Sequence, residues 1–130
     1  MAKTTYQGKS LSYWLVMLKD RNAEVRREAV SALAAIGPAT VPGLLAMLKE
    51  GHSADRYWAV RALGRLGPGA RAAVPGILMA LKDQHHAVRR EAREALMRID
   101  PEAAHRAMGL WHQVRRWLKR APFTWAGDGD

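Results

Sequence analysis

From Ser10 onward, apolar positions recur with helical spacing. Leu11, Trp14, Leu15 and Leu18 stand at i, i+3, i+4 and i+7, which places them on one face of a helix. Ser10 precedes this stripe and predicts an N-cap, because its hydroxyl can accept a bond from an unpaired N–H of the first turn. Residues 1–8 show no periodicity and predict a frayed arm. After a polar turn at Asp20 to Asn22, with Asn22 as the next cap, Val25, Ala29, Ala32, Leu33 and Ile36 form a narrow core-facing stripe. Gly37 stands where a left-handed residue would stop this helix, and Pro38 prevents its continuation.

The stretch Val25 to Pro38, VRREAVSALAAIGP, returns as Asp55 to Pro68, DRYWAVRALGRLGP, and as Val88 to Pro101, VRREAREALMRIDP. Ala29, Ala59 and Ala92 share one position, Leu33, Leu63 and Leu96 another, and Ile36, Leu66 and Ile99 a third. Between the copies lie VPGLLAMLK and VPGILMALK, which open on Val41-Pro42 and Val74-Pro75. Proline is tolerated there because a first-turn N–H needs no partner within the helix. These segments end at Lys49 and Lys82, aligned with Lys19. Repetition at 30 and 33 residues predicts stacked helical hairpins at about 9–37, 40–67 and 70–99. The extra residues between Pro68 and Pro75 are a loop insertion.

Asp100-Pro101-Glu102 predicts a last helix over about 101–120, with an Asp cap, a first-turn proline and an acid near the positive helix end. Ala103, Ala107, Leu110, Trp111, Val114, Trp117 and Leu118 fall on one face. His105, His112, Gln113, Arg115, Arg116, Lys119 and Arg120 fall on the other. One use of this helix is to cap the apolar end of the third hairpin. The other is partner binding through Trp111, Arg115, Arg116 and Trp117, in a hydrophobic groove or on an anionic membrane surface. Residues 1–120 read as one domain and 121–130, APFTWAGDGD, as a flexible tail.

Asp20, Val25, Arg26, Ala29, Leu33, Ile36, Gly37 and Pro38 spell D-x4-VR-x2-A-x3-L-x2-IGP. The pattern repeats at Asp83, Val88, Arg89, Ala92, Leu96 and Ile99, with Asp100 in place of the glycine. The middle copy departs at Glu50 and at Asp55. These residues resemble the HEAT repeat, more narrowly the bacterial HEAT-like (PBS-lyase-type) repeat. The opening GKSLSYWLVMLK looks like the first helix of short bacterial HEAT-like proteins. The resemblance covers residues 9 to about 108 and implies an all-α fold, a right-handed α-α superhelix of three hairpins plus the C-terminal amphipathic helix. It also implies that Arg26, Arg56 and Arg89 pair with Asp20, Glu50 and Asp83 in a ladder between stacked turns, and that the second helices line a concave binding surface. Some HEAT-like proteins are DNA glycosylases for alkylated bases, longer than this chain and equipped with an acid and aromatics in the concave cleft; others are bilin lyases.

The net charge of +9 bears on that surface. Opposite the core stripe stand Arg27, Ser31 and Ala34, then Tyr57, Arg61 and Gly64, then Arg90, Arg93, Glu94 and Met97, with Arg65 and Arg98 at the edge. This basic ladder with one aromatic step suits phosphates or carboxylates, because guanidinium is a planar multiple donor. It reads equally as a solvated face partly neutralised by Glu24, Glu28, Glu91 and Glu94. Trp58 replaces a glutamate of the other copies and is expected to pack between hairpins; Trp14 is expected in the core.

With no cysteine in the chain, disulfides, thiolate metal sites and a Cys nucleophile are excluded. Neither a run of 18 apolar residues nor a signal-peptide pattern is present, and a cytoplasmic location is expected. His52, His85 and His86 recur at the turns without a carboxylate or thiol at ligand spacing, so no metal is expected. A Gly-rich phosphate loop and a nucleophile constellation are also lacking. The expected function is therefore a non-catalytic scaffold or adaptor, without cofactor, for a protein partner with an acidic segment or a hydrophobic groove. The alternative is sequence-nonspecific nucleic-acid binding through the same arginines.

Overall fold

A computed structural model of the chain describes residues 5–120. Three antiparallel helix pairs follow one another: α1 (Leu11–Met17) with α2 (Ala23–Ile36), α3 (Val41–Glu50) with α4 (Ser53–Leu66), and α5 (Val74–Ala80) with α6 (His86–Ile99). A last helix, α7 (Pro101–Arg120), follows, and short 3-10 turns at Pro38–Thr40 and Gly67–Ala73 join the pairs. The architecture is an all-α helical repeat. The helix starts are local chemistry. Ser10 Oγ accepts from the Tyr13 N–H at 3.2 Å, Asn22 Oδ1 from Glu24 N–H at 2.8 Å, and Asp100 Oδ1 from Ala103 N–H at 3.2 Å. At α4 the Asp55 carboxylate accepts from the His52 N–H at 3.3 Å. This first-turn acid accounts for a carboxylate where the other copies carry Val25 and Val88.

Gly37 has φ +97° and ψ −154°, and Gly67 φ +61° and ψ −141°. Neither is the left-handed helical conformation expected from sequence. Both lie in a positive-φ extended region that side-chain-bearing residues avoid. The chain leaves α2 for the Pro38–Glu50 segment at 117° through this conformation. Asp100 instead adopts φ −150° and ψ 86°, and its carboxylate is used to start α7.

Ala29, Ala59 and Ala92, with Leu33, Leu63 and Leu96, are fully buried at the centre of the stack. The second helices α2, α4 and α6 lie side by side, and α4 also packs on α3. An inner helix thus has neighbours on three sides, whereas a single apolar stripe accounts for one. Val30 and Val60 are buried beyond the stripe for this reason. Gly64, expected on the open face, is also buried. A Cβ there would lie 3.1 Å from Ala95 Cα and Cβ of α6, so the glycine is what lets the two helices approach.

The first helices meet more loosely, through a repeated leucine-over-glycine contact. A Cβ on Gly43 would lie 2.6 Å from Leu15 Cδ1, and one on Gly76 2.9 Å from Leu45 Cδ2. Because the second helices pack more closely than the first ones, the stack bends toward α2, α4 and α6.

Residues 5–8 are not a frayed arm. Thr5–Tyr6 (β1) pairs antiparallel with Lys9–Ser10 (β2), turning through Gln7 and Gly8, both at positive φ, the conformation of a tight two-residue hairpin. The Trp14 indole N–H donates to the Tyr6 carbonyl oxygen at 3.2 Å, and the Tyr6 ring meets Trp14 edge-on. The hairpin therefore packs over the N-terminal end of the stack, against α1 and α2. Two-residue strands are too short to leave a periodic trace. Residues 1–4 and the expected tail, 121–130, lie outside the described residues.

Gly64→Val should lower stability to urea by about 1–3 kcal/mol, since the α4–α6 contact leaves no room for branching. Gly109→Ala should raise it by about 0.5–1 kcal/mol, because its Cβ would meet nothing within 4 Å and alanine is the better helix former. A Gly64→Val protein as stable as the parent would show that α4 and α6 do not pack at this point.

Candidate functional site

The repeated arginines at the start of the second helices are structural hooks. Arg26 donates through Nη1 to the carbonyl oxygens of Asp20 and Arg21 at 2.6 and 2.9 Å. Arg89 does the same to Asp83 and Gln84 at 2.7 and 3.1 Å, and Arg56 to Gly51 at 2.9 Å. Each ties a second helix to the turn of its own hairpin. Only Arg56, among the described residues, also reaches the next hairpin: Nε and Nη2 donate to Asp83 at 2.7 and 3.2 Å. The implied ladder is thus a single rung. Asp20 spends its carboxylate on the Asn22 N–H, and Glu50, the last residue of α3, is exposed and enters no ion pair among the described residues.

Where a second rung would stand, the Arg26 guanidinium lies over the Trp58 ring, 5.2 Å from its centroid, and Arg61 lies 5.8 Å from the same ring. Arg61 in turn is 3.5 Å from Glu91, a carboxylate only 6% exposed. A chain of contacts therefore runs Arg26, Trp58, Arg61, Glu91 across α2, α4 and α6. Trp58 packs between hairpins as expected from its position. Glu91, expected to solvate the surface, is buried instead, because the α4–α6 contact closes over it.

Two carboxyls are shifted in opposite directions. The hydrogen bonds from Arg56 hold Asp83 below its ordinary range, against the cost of burial and with help from the His85 N–H. Its partner Arg56 is raised, chiefly by the same bond. Burial pushes Glu91 up, outweighing the attraction of Arg61, and Glu94 adds to the rise.

The arginines proposed from sequence fall into two groups. Arg27 is exposed but bound to Glu24, and Arg61 is engaged by Glu91. Arg65, Arg90 and Arg98 are exposed and Arg93 is half-buried. Among the described residues, none of these four enters an ion pair. Tyr57 is half-buried, its ring edge-on to Trp58 at 5.2 Å. On α7, Arg116 is exposed; the side chains of Trp111, Arg115 and Trp117 lie outside what the structure describes. Among the described residues, no group of three or more His, Asp or Glu side chains is placed to hold a metal.

Residues 41–108 match the family of HEAT repeats, and residues 25–50 match the PBS lyase HEAT-like repeat. The chain belongs to the HEAT-repeat family. None of the curated proteins compared with this HEAT-repeat chain matches it. HEAT repeats generally mediate protein–protein interaction as scaffolds, and such families are typically non-enzymatic.

The opposed carboxyls predict opposed pH behaviour. Asp83 binds its proton less tightly when folded, so its contribution is present above the unfolded value of about 3.9 and disappears as pH falls through the lower folded value. Asp83→Asn should cost about 1–3 kcal/mol at pH 7, and the gap from the parent should close in acid. Glu91 binds its proton more tightly when folded, so it favours folding below about pH 4.3 and loses that effect as pH rises through its raised value. Glu91→Gln should therefore cost less than about 1 kcal/mol at pH 7 and flatten the decline above about pH 4.3. Thermal melts at stepped pH measure both; a loss at pH 7 from Glu91→Gln as large as that from Asp83→Asn would refute the opposed assignment.

Proposed function

We propose that this HEAT-repeat protein is a non-catalytic adaptor that binds an acidic segment of a partner protein across α4 and α6. Arg65, Arg90 and Arg98 supply the charge and Tyr57 an apolar step between them. The observation that carries this reading is that these exposed arginines enter none of the ion pairs among the described residues. Arg27 and Arg61, already engaged by Glu24 and Glu91, border the surface. Exposed guanidinium groups outside these ion pairs, on the inner side of a curved stack, favour a carboxylate-bearing chain, through bidentate hydrogen bonds as well as charge.

The test titrates the full chain with a labelled glutamate-rich peptide and, separately, a mixed-sequence DNA duplex at several salt concentrations. The peptide should bind the more tightly. Combined Arg65→Glu, Arg90→Glu and Arg98→Glu should weaken it by at least about tenfold, and Arg27→Glu much less. Arg61 is left intact because a carboxylate there would face the buried Glu91. Tighter binding of the duplex, with a salt slope equivalent to several phosphates, would replace the protein partner with nucleic acid.

A further inference from the structure

The C-terminal end of the stack holds a second surface, distinct from the inner arginines. The contact of Gly64 with Ala95 identifies the edge by which α4 meets the following second helix. Val60, one turn earlier, shares that edge, and Val30 holds the same position on α2; all three are buried. On α6 the corresponding residues are Arg93, half-buried, and Met97, 52% exposed. Among the described residues no further second helix covers them.

The first half of another unit is nevertheless present. Pro101 stands where Pro38 and Pro68 stand. Ala103 and Ala104 are buried at the positions of Thr40 and Val41, and Met108 is half-buried at the position of Leu45 and Leu78. By the same register, Ala107 corresponds to Leu44 and Ile77, and Trp111 to Leu48 and Leu81. Where α3 and α5 end and the chain turns back, α7 continues to Arg120.

We propose that the slot between this edge of α6 and α7 receives an amphipathic helix of a partner protein, with acidic residues flanking its apolar stripe, in the place of a fourth second helix. Size and polarity both follow from the stack. Each second helix here has 14 residues, about 21 Å of helix. Met97 and the apolar register of α7 call for an apolar stripe on the incoming helix. Its charge follows from Arg93, which replaces the valine of the two preceding helices, and from α7, which carries five Lys or Arg residues and no carboxylate after Glu102. Lys119 and Arg120 suit the negative end of the helix dipole. A second copy of the chain would bring the same cations against themselves, which the charge disfavours.

The probe is a synthetic 14-residue helical peptide patterned on the α4 stripe with glutamates beside it, titrated into the full chain by fluorescence anisotropy. It should bind, and a scrambled peptide should not. Met97→Asp and Trp111→Ala should each weaken binding by at least about tenfold, as central apolar contacts do. Arg93→Glu should weaken it similarly, and a peptide with lysines replacing the glutamates should restore binding to that variant. Arg116→Glu, at the centre of the polar face of α7, should leave binding unchanged, as should the pair Arg65→Glu and Arg98→Glu, so that failure of the inner surface and failure of the slot are separable. Circular dichroism melts establish that each variant is folded. No binding, equal binding of the scrambled peptide, an effect of Arg116→Glu equal to that of Arg93→Glu, or self-association of the chain that excludes the peptide would each overturn the proposal. The third outcome would mean attraction by charge alone, as to nucleic acid or an anionic bilayer.

Discussion

The close lateral packing of the second helices is the contact on which the rest of the structure depends. A helical hairpin of this size cannot cover its own apolar surface, so each unit is stable only against the next. The small side chains at the α4–α6 contact, Gly64 against Ala95, bring the two backbones together. That approach buries Val60 and Glu91 and leaves the first helices further apart, joined by leucine-over-glycine contacts. The burial of a charge and the closer spacing of the second helices both follow from this one approach.

Electrostatics acts at two levels in such a stack. Near the turns, arginines bind backbone carbonyls and one aspartate, and these bonds order connections that would otherwise fray. On the inner face, Arg61 and Arg27 are committed to carboxylates while Arg65, Arg90 and Arg98 are not. A basic composition is therefore not spread uniformly over function. Part of the charge holds the fold, and the remainder stands exposed outside the ion pairs among the described residues.

The hairpins, their caps and the central Ala and Leu positions were legible from the chain because they depend on spacing within a few residues. The family resemblance also indicated the stacking, yet it implied more rungs between turns than the structure contains. Arg26 illustrates why: its partner position, Glu50, ends a longer helix, and its guanidinium lies instead over the ring of Trp58 on α4. The N-terminal hairpin escaped because strands of two residues carry no period, although Gln7-Gly8 is compatible with a tight turn. Gly64 was misplaced on the open face because a glycine carries no polarity signal; only its neighbour reveals why it is small.

By itself, then, the sequence determined the repeat, the helix starts and the central Ala and Leu positions, since periodicity and capping are properties of neighbouring residues. Tertiary structure alone decided which arginines are spent, that Glu91 is buried, that the Trp58 ring meets two guanidinium groups, and that, among the described residues, α6 leaves open an edge that is covered on α2 and α4. Apart from the Arg27–Glu24 pair, those features join residues about thirty positions apart, in different repeat units. Each depends on how closely two backbones approach, a distance set by packing around both of them together.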